Sequence, residues 1–241
     1  MRWLYWTVGI AGVIFTAGLA VSVGVVAIPW SETVSVLAGT IGLPVEAAVP
    51  QGHYDIIWEL RMPRVMLAAL AGAGLALCGM VMQALVQNPL AEPYILGVAS
   101  GASLGAVMVI MLGGSAVLVG MGVPAGAFAG AVAATAFVVL LAGRERSASA
   151  VRLILAGAVV SALFSALANL VVYLANDAEG MRSAAFWTMG SLAGARWDNL
   201  WLPGMAVLAG GAFFALRLLA LREKSLDFFV FRMKWTNFDD N

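Results

Sequence analysis

The ionisable side chains of this sequence lie outside its long apolar stretches. No Asp, Glu, Lys, Arg or His occurs within residues 3–31, 65–91, 93–143, 153–176 or 199–216. A proton relay or an activated water inside a membrane requires a titratable group held at depth. The pattern therefore argues against a proton-driven carrier and against an intramembrane hydrolase, and energy for any transport must come from elsewhere.

The chain contains a single histidine, His53, and a single cysteine, Cys78. These counts exclude an internal disulfide, a cysteine metal cluster and a histidine-assisted nucleophile within the bilayer. We interpret His53 as a solvated residue of an outer loop and Cys78 as a small apolar packing residue. We expect no metal and no cofactor. Thirteen Lys and Arg balance thirteen Asp and Glu, which argues against binding to nucleic acid.

Neutral polar side chains remain within the apolar stretches, chiefly Gln83, Ser161, Ser165 and Asn169. Such groups either line a path through the membrane or form hydrogen bonds between helices. Two charged residues, Arg61 and Arg64, lie three apart at the mouth of an apolar stretch, around a bend that we expect at Pro63. Arginine keeps its charge and pairs bidentately with a carboxylate; alternatively, both side chains snorkel to lipid headgroups.

The overall composition predicts the elements that must position these residues. Of 241 residues, 62% are hydrophobic and 11% charged, whereas soluble domains are about 45–50% apolar and about 25% charged. Because a helix crosses a bilayer in about 20 residues, we predict an all-α, polytopic membrane helix bundle. Its six spans lie near residues 4–28, 65–87, 94–112, 118–142, 153–175 and 199–216. The first apolar run is longer than the core of a signal peptide, the alternative reading.

The distribution of basic residues predicts the orientation. With the N-terminus inside, nine of the thirteen Lys and Arg lie in inner segments, and four lie outside: Arg61, Arg64, Arg182 and Arg196. Positive charge favours the cytoplasmic side, so we predict a multi-pass cell-membrane protein with a cytoplasmic N-terminus. Glycines recur four residues apart at 97, 101 and 105 and at 122, 126 and 130, a spacing that allows helix backbones to approach closely.

Two stretches are more specific than generic membrane sequence. The first contains Arg61-Met62-Pro63-Arg64 before a glycine-rich span, and Asn88-Pro89-Leu90-Ala91-Glu92-Pro93 after it. The second runs from Arg152-Leu153-Ile154-Leu155-Ala156-Gly157 to Phe186-Trp187-Thr188-Met189-Gly190-Ser191-Leu192. Over about residues 55–220, the sequence resembles the permease subunits of binding-protein-dependent ABC importers for iron-siderophore, haem and cobalamin.

The resemblance implies roles for particular residues. Arg61 and Arg64 would receive glutamates of an extracytoplasmic substrate-binding protein. Asn88 and Leu90 would belong to a cytoplasmic gate between two permease copies, although a plain tight turn explains the same residues. Ser149 lies where the family has a second gate element. Ser161, Ser165 and Asn169 would line the pathway, and a short helix within residues 177–198 would lie beside its mouth.

The resemblance also implies a mechanism and partners. The chain would be a transport subunit without catalysis of its own, forming the path with an identical or different permease. ATP would be hydrolysed by separate cytoplasmic subunits. Iron-siderophore is the favoured substrate, with haem or cobalamin as alternatives.

The sequence departs from this family at its C-terminal end. We predict an incomplete transmembrane permease domain over residues 1–222, the first part of the ten-helix fold. Residues 223–241 form a divergent cytoplasmic tail in which we find no counterpart of the loop that contacts the ATPase. An amphipathic helix on the inner leaflet is an alternative for this tail. Two hypotheses for the polypeptide therefore stand side by side, a permease subunit and an inert membrane fragment of one.

Overall fold

The computed structural model describes residues 2–43, 49–86, 88–112, 122–143, 150–175 and 177–217. Within these ranges the regular structure is entirely helical, which confirms the predicted all-α class. The same ranges contain five helices long and apolar enough to cross a membrane: Leu4–Ser22, Gln51–Val86, Gly122–Ala142, Val151–Ala175 and Trp197–Arg217. A shorter apolar helix covers Val98–Met111. Each of the six predicted spans therefore overlaps an apolar helix in the described residues.

The helices in chain order are α1 (Arg2–Ser22), α2 (Trp30–Thr40), α3 (Gln51–Asp55), α4 (Met62–Val86), α5 (Val98–Leu112), α6 (Gly122–Ala142), α7 (Ala150–Ala175), α8 (Ala178–Met189) and α9 (201–217). A π-helical segment, Ile56–Arg61, joins α3 to α4, and short 3₁₀ turns cover Pro93–Leu96 and Trp197–Asn199. The chain divides into two compact units. The first unit contains the described residues up to Leu77 and from Leu192 onward, and the second is Cys78–Ser191.

In the first unit, α1 ends six residues earlier than predicted. The expected boundary at residue 28 is wrong, because the helix ends at Ser22. The chain then bends, and Pro29 stands immediately before α2. A residue that precedes proline disfavours the helical conformation. The buried side chains of this unit come from both sides of that bend: Val21, Ile28, Val36 and Ile57 form one apolar cluster.

At Pro63, where the sequence predicts a bend, the helix is not interrupted. Helix α3, the π-helical segment and α4 form one uninterrupted helical stretch from Gln51 to Val86. Proline normally breaks a helix because it lacks an N–H and collides with the carbonyl four residues earlier. Here the wider π turn precedes it, with the N–H of Met62 bonded to the carbonyl of Ile57, five residues back. The inserted residue gives the proline ring its space without a break.

The same register explains a contact between two tryptophans. If the five-residue hydrogen-bonding register of the π turn continued by one residue, the backbone nitrogen of Pro63 would donate to the carbonyl of Trp58. Proline carries no hydrogen on this nitrogen, so that bond cannot form. The indole Nε1–H of Trp197 donates to this carbonyl instead, at 3.0 Å. The two indole rings also lie in contact, with centroids 4.8 Å apart. Trp197 therefore supplies the hydrogen bond that Pro63 withholds.

In the second unit, two glycines from each predicted stripe pack directly on each other, whereas Gly97 and Gly122 lie outside this contact. A methyl group built on Gly101 would collide with the carbonyl of Gly130, and one on Gly105 would collide with the carbonyl of Gly126. Helices α5 and α6 thus meet backbone against backbone, as the four-residue spacing predicts. Larger residues fill the adjoining space, where Val138, Val160 and Phe164 belong to the buried cluster.

The entrance to α5 lies four residues later than predicted. Pro93–Leu96 forms a 3₁₀ turn, and Gly97 then adopts a left-handed conformation with φ of 67°, so α5 begins at Val98. Helix α7 approaches this turn closely, because a methyl group on Gly157 would overlap the carbonyl of Ile95.

Helix α8 confirms the short helix predicted within residues 177–198. Its N-cap is Asp177, whose carboxylate accepts hydrogen bonds from the backbone N–H groups of Glu179 at 3.1 Å and Gly180 at 3.0 Å. This is the usual way in which a short side chain satisfies the free donors of a helix start. The predicted tail, residues 223–241, lies outside the described residues.

Candidate functional site

The two predicted docking arginines occupy different environments. Arg61 is buried, with 8% of its surface exposed, whereas Arg64 is exposed. The Arg61 guanidinium donates from Nη1 to the carbonyls of Val21 at 2.8 Å and Ser22 at 2.6 Å, and from Nη2 to that of Val26 at 2.5 Å. All three acceptors belong to the end of α1 or to the bend after it.

Arg61 and Arg64 nevertheless border one cavity of about 630 Å³. Its other walls are largely aliphatic and come from the bend and from the start of α4, including Val23, Val25 and Val65. The Arg64 side chain makes no ion pair or hydrogen bond with another described residue, so its guanidinium is open to an external anion. The docking role of both arginines stays a prediction.

Two of the three predicted pathway residues share a cleft in the second unit. Ser165 and Asn169 are one helical turn apart on α7, and both side chains are exposed. With Ser103 of α5 and Thr188 of α8, they line a cavity of about 420 Å³. Neither the Ser165 hydroxyl nor the Asn169 amide forms a side-chain hydrogen bond with another described residue. The cleft thus offers neutral donors and acceptors.

Ser161, the third predicted pathway residue, lies apart from that cleft. Its side chain is half-buried, and its Oγ lies 3.3 Å from the position that a Cβ on Gly97 would occupy. Sequence reasoning missed Ser103 and Thr188, which lie on other helices. Thr188 belongs to the Phe186–Leu192 stretch already noted, but no local pattern places it beside α7.

The predicted gate residues Asn88 and Leu90 lie in a turn stabilised by its own hydrogen bonds. The Asn88 Oδ1 accepts from the N–H of Leu90 at 2.9 Å, and the amide of Gln83 donates to the carbonyl of Pro89 at 3.0 Å. The Leu90 side chain projects from this turn with 83% of its surface exposed. Ser149, the third predicted gate residue, lies outside the described residues.

Comparisons with known proteins identify the family. The FecCD transport family matches residues 12–227. The chain belongs to this family. The cobalamin import system permease protein BtuC of Halobacterium salinarum is 34% identical over 203 residues, which are 80% of this chain and 54% of that protein. The vitamin B12 import system permease protein BtuC of Klebsiella pneumoniae is 37% identical over 169 residues, 70% of this chain and 50% of that protein.

A solved structure agrees with this assignment. It is described as an inward-facing conformation of a metal-chelate type ABC transporter, with a TM-score of 0.64 and 28% identity over 82% of this chain and 56% of that chain. The chain spans about half the length of the curated relatives it matches.

One side-chain contact in this FecCD family member was missed from the sequence. His53, interpreted as a solvated loop residue, lies in α3, and its Nδ1 is 2.5 Å from the Glu32 Oε2 of α2. The two residues are 21 positions apart, and no local pattern links them. Within the described ranges, no three His, Cys, Asp or Glu side chains come together in a group that would hold a metal ion.

Proposed function

We propose that this chain is a membrane permease subunit of an ATP-driven, binding-protein-dependent importer of a large metal chelate, with cobalamin as the first candidate substrate. Membership of the FecCD transport family supports the transport role. Cobalamin is favoured because the two curated relatives compared above are named as cobalamin and vitamin B12 import permeases. An iron-siderophore, which the sequence analysis favoured, belongs to the same broad class of metal chelates.

The observation that carries this proposal is the α7 cleft with the neutral side chains of Ser165 and Asn169. A large chelate needs a wall that it can pass without being trapped. Neutral amide and hydroxyl groups form hydrogen bonds with it, yet offer no charge to hold it. In this proposal, the cleft faces a path that forms between this chain and a second permease, identical or different.

The proposal assigns the remaining machinery to other subunits and to the turn at Asn88. ATP is hydrolysed by separate cytoplasmic subunits, and a substrate-binding protein delivers the chelate on the outer side. The N-terminus is cytoplasmic, as the distribution of Lys and Arg favours. Leu90, which projects from a stiff turn, then closes the cytoplasmic end of the path, and Ser149 contributes the second gate element.

Uptake measurements test the proposed substrate. The full chain is produced with the ATPase and binding protein of its own system in cells that lack an endogenous permease, and radiolabelled cobalamin, iron-siderophore and haem are supplied separately. We expect ATP-dependent uptake of cobalamin. Uptake of the siderophore or haem alone would overturn the cobalamin assignment, and uptake of none would contradict the transport role.

Copurification separates a permease subunit from an inert membrane fragment. The tagged full chain is extracted in mild detergent from cells that also contain the ATPase subunit. A permease subunit should retain the ATPase, and failure to recover any would favour the inert fragment.

The cleft is tested by Asn169→Leu, which removes the polar group and keeps a similar volume. We expect lower uptake at an unchanged amount of protein in the membrane. Thr135→Val is the matched control, because the Thr135 hydroxyl bonds only to the carbonyl of Ala131 in its own helix, at 2.9 Å. Equal uptake by the Asn169 variant and the parent would remove the cleft from the proposed path.

Docking is tested by Arg64→Glu, with Arg182→Glu as a control that makes the same charge change elsewhere on the predicted outer side. We expect the Arg64 variant to lose uptake stimulated by the binding protein, because a carboxylate repels the proposed acidic partner. An Arg64 variant that takes up chelate as well as the control would contradict docking at this residue.

A further inference from the structure

The end of α1 lacks a cation of its own. The last four carbonyls of a helix have no partner within it, and together they carry partial negative charge that favours a nearby cation. No basic residue occurs in the last turn of α1. The guanidinium of Arg61, about 40 residues further along the chain, occupies this position by bonding to the carbonyls of Val21 and Ser22.

The hydrogen bonds of Arg61 explain how its charge is buried. A buried charge is costly unless it is paired or hydrogen-bonded, and no carboxylate forms an ion pair with Arg61 among the described residues. Three carbonyl oxygens take that role, and hydrogen bonds to a charged donor are stronger than neutral ones. The planar fork of arginine reaches separate acceptors at once, whereas a lysine ammonium presents a single point charge.

Gly24 makes room for this arrangement. A methyl group built on Gly24 would lie 2.6 Å from Nη2 and 2.9 Å from Cζ of Arg61. Since three hydrogen bonds hold the guanidinium, it cannot move aside without losing some of them. The bend can therefore pass over the guanidinium at residue 24 because glycine has no side chain there.

We propose that Arg61 is a positioning residue that caps α1 from another helix and fixes the bend of residues 23–28, so that its charge is unavailable to a protein partner. Val23, Gly24, Val25 and Val26 line the cavity that Arg64 also borders, so Arg61 determines the shape of that wall. For docking, which rests on the proposed function, the consequence is that Arg64, and not Arg61, presents its charge to the partner.

A cysteine reporter tests the cap without any transport measurement. Ile28 is 7% exposed and lies in the cluster with Val21 and Ile57. In a Cys78→Ala background, Ile28→Cys is introduced into the full chain, and its rate of maleimide labelling is measured in detergent. Arg61→Gln should raise this rate about tenfold or more, because hydrogen bonds to a charged group are lost and the bend opens. The labelling rate of Arg61→Lys should fall between the rates of the parent and of Arg61→Gln.

Two further variants complete the test. Arg64→Gln is the matched control and should leave the labelling rate unchanged. Gly24→Ala keeps Arg61 but displaces its guanidinium, so it should raise the rate as well, and it decides the question if Arg61→Gln fails to accumulate. If Arg61→Gln accumulates, an unchanged labelling rate in it would overturn the proposal; if it does not, an unchanged rate in Gly24→Ala would. A rise in Arg64→Gln as large as that in Arg61→Gln would also overturn it. If the parent chain takes up no chelate, the proposed function is contradicted, but the labelling rates still test the cap on α1.

Discussion

The carbonyl of Trp58 allows a test of how Pro63 and Trp197 depend on each other. Trp197→Phe keeps an aromatic ring beside Trp58 and removes the indole N–H that donates to this carbonyl at 3.0 Å. The carbonyl then has no donor, because the residue that would supply one in the π-helical register is Pro63. The substitution should therefore destabilise the first unit through one unsatisfied acceptor.

The size of this effect follows from the contacts. Leaving a buried acceptor without its partner costs about 1–3 kcal/mol, and the side chains of Trp58 and Trp197 are both only half-buried, so we expect the lower half of that range. Trp197→Leu also loses the ring contact at 4.8 Å, which adds about 0.5–1.5 kcal/mol. Pro63→Ala restores a backbone N–H, which can bond to Trp58 or free the N–H of Met62 to do so.

A double-mutant cycle measures the dependence. The free energy of unfolding of the detergent-solubilised full chain is determined by denaturant titration, followed by far-ultraviolet circular dichroism, for the parent, both single variants and the double variant. We expect Trp197→Phe to cost about 1 kcal/mol less when Pro63 is replaced by alanine, since only the hydrogen-bond part is coupled. Equal costs in the two backgrounds would refute the argument that Pro63 leaves the Trp58 carbonyl without a donor.

Three further predictions concern other contacts. Gly105→Ala should lower the free energy of unfolding by about 1–3 kcal/mol, because its methyl group would collide with the backbone of α6. Gly72→Ala is the control: it has open space around it and should be neutral or stabilising by up to about 1 kcal/mol. Equal free energies of unfolding for the two variants would contradict the backbone contact. Glu32→Gln should cost under about 1 kcal/mol in the same titration, because a partly exposed contact between two polar side chains contributes little. A larger loss would show that the contact with His53 anchors α2. Asn88→Ala should speed amide exchange at Leu90, measured by mass spectrometry, while Asn88→Asp, which keeps the acceptor, should not; identical exchange would exclude this turn bond.

The apolar spans were predictable because they depend on composition over a long window. A stretch of about 20 residues without charge leaves few alternatives to a membrane helix. The packing of α5 on α6 was readable for a similar reason, since glycines four residues apart fall on one helix face. Both signals are repeated along the chain, and single residues do not decide them.

Several of the errors involve contacts between residues far apart in sequence. The end of α1 depends on a guanidinium about 40 positions away, and the position of His53 depends on Glu32. In the candidate cleft, Ser165 and Asn169 were identified from their own span, whereas Ser103 and Thr188 could be added only once the helices were packed. Local sequence patterns contain no information about such pairs.

The Arg61-Met62-Pro63-Arg64 motif shows why spacing alone does not define the role of a residue. Pro63 is accommodated by the π-helical segment that ends at Arg61. Arg61 therefore belongs to this segment, whereas Arg64 belongs to the α-helix that follows it. Arg61 is buried against the end of α1, and Arg64 is exposed. The same proline leaves the Trp58 carbonyl for Trp197. The motif thus organises the first unit as well as presenting a charge, and loss of uptake in an Arg61 variant would not by itself demonstrate docking, because the wall beside Arg64 would change too.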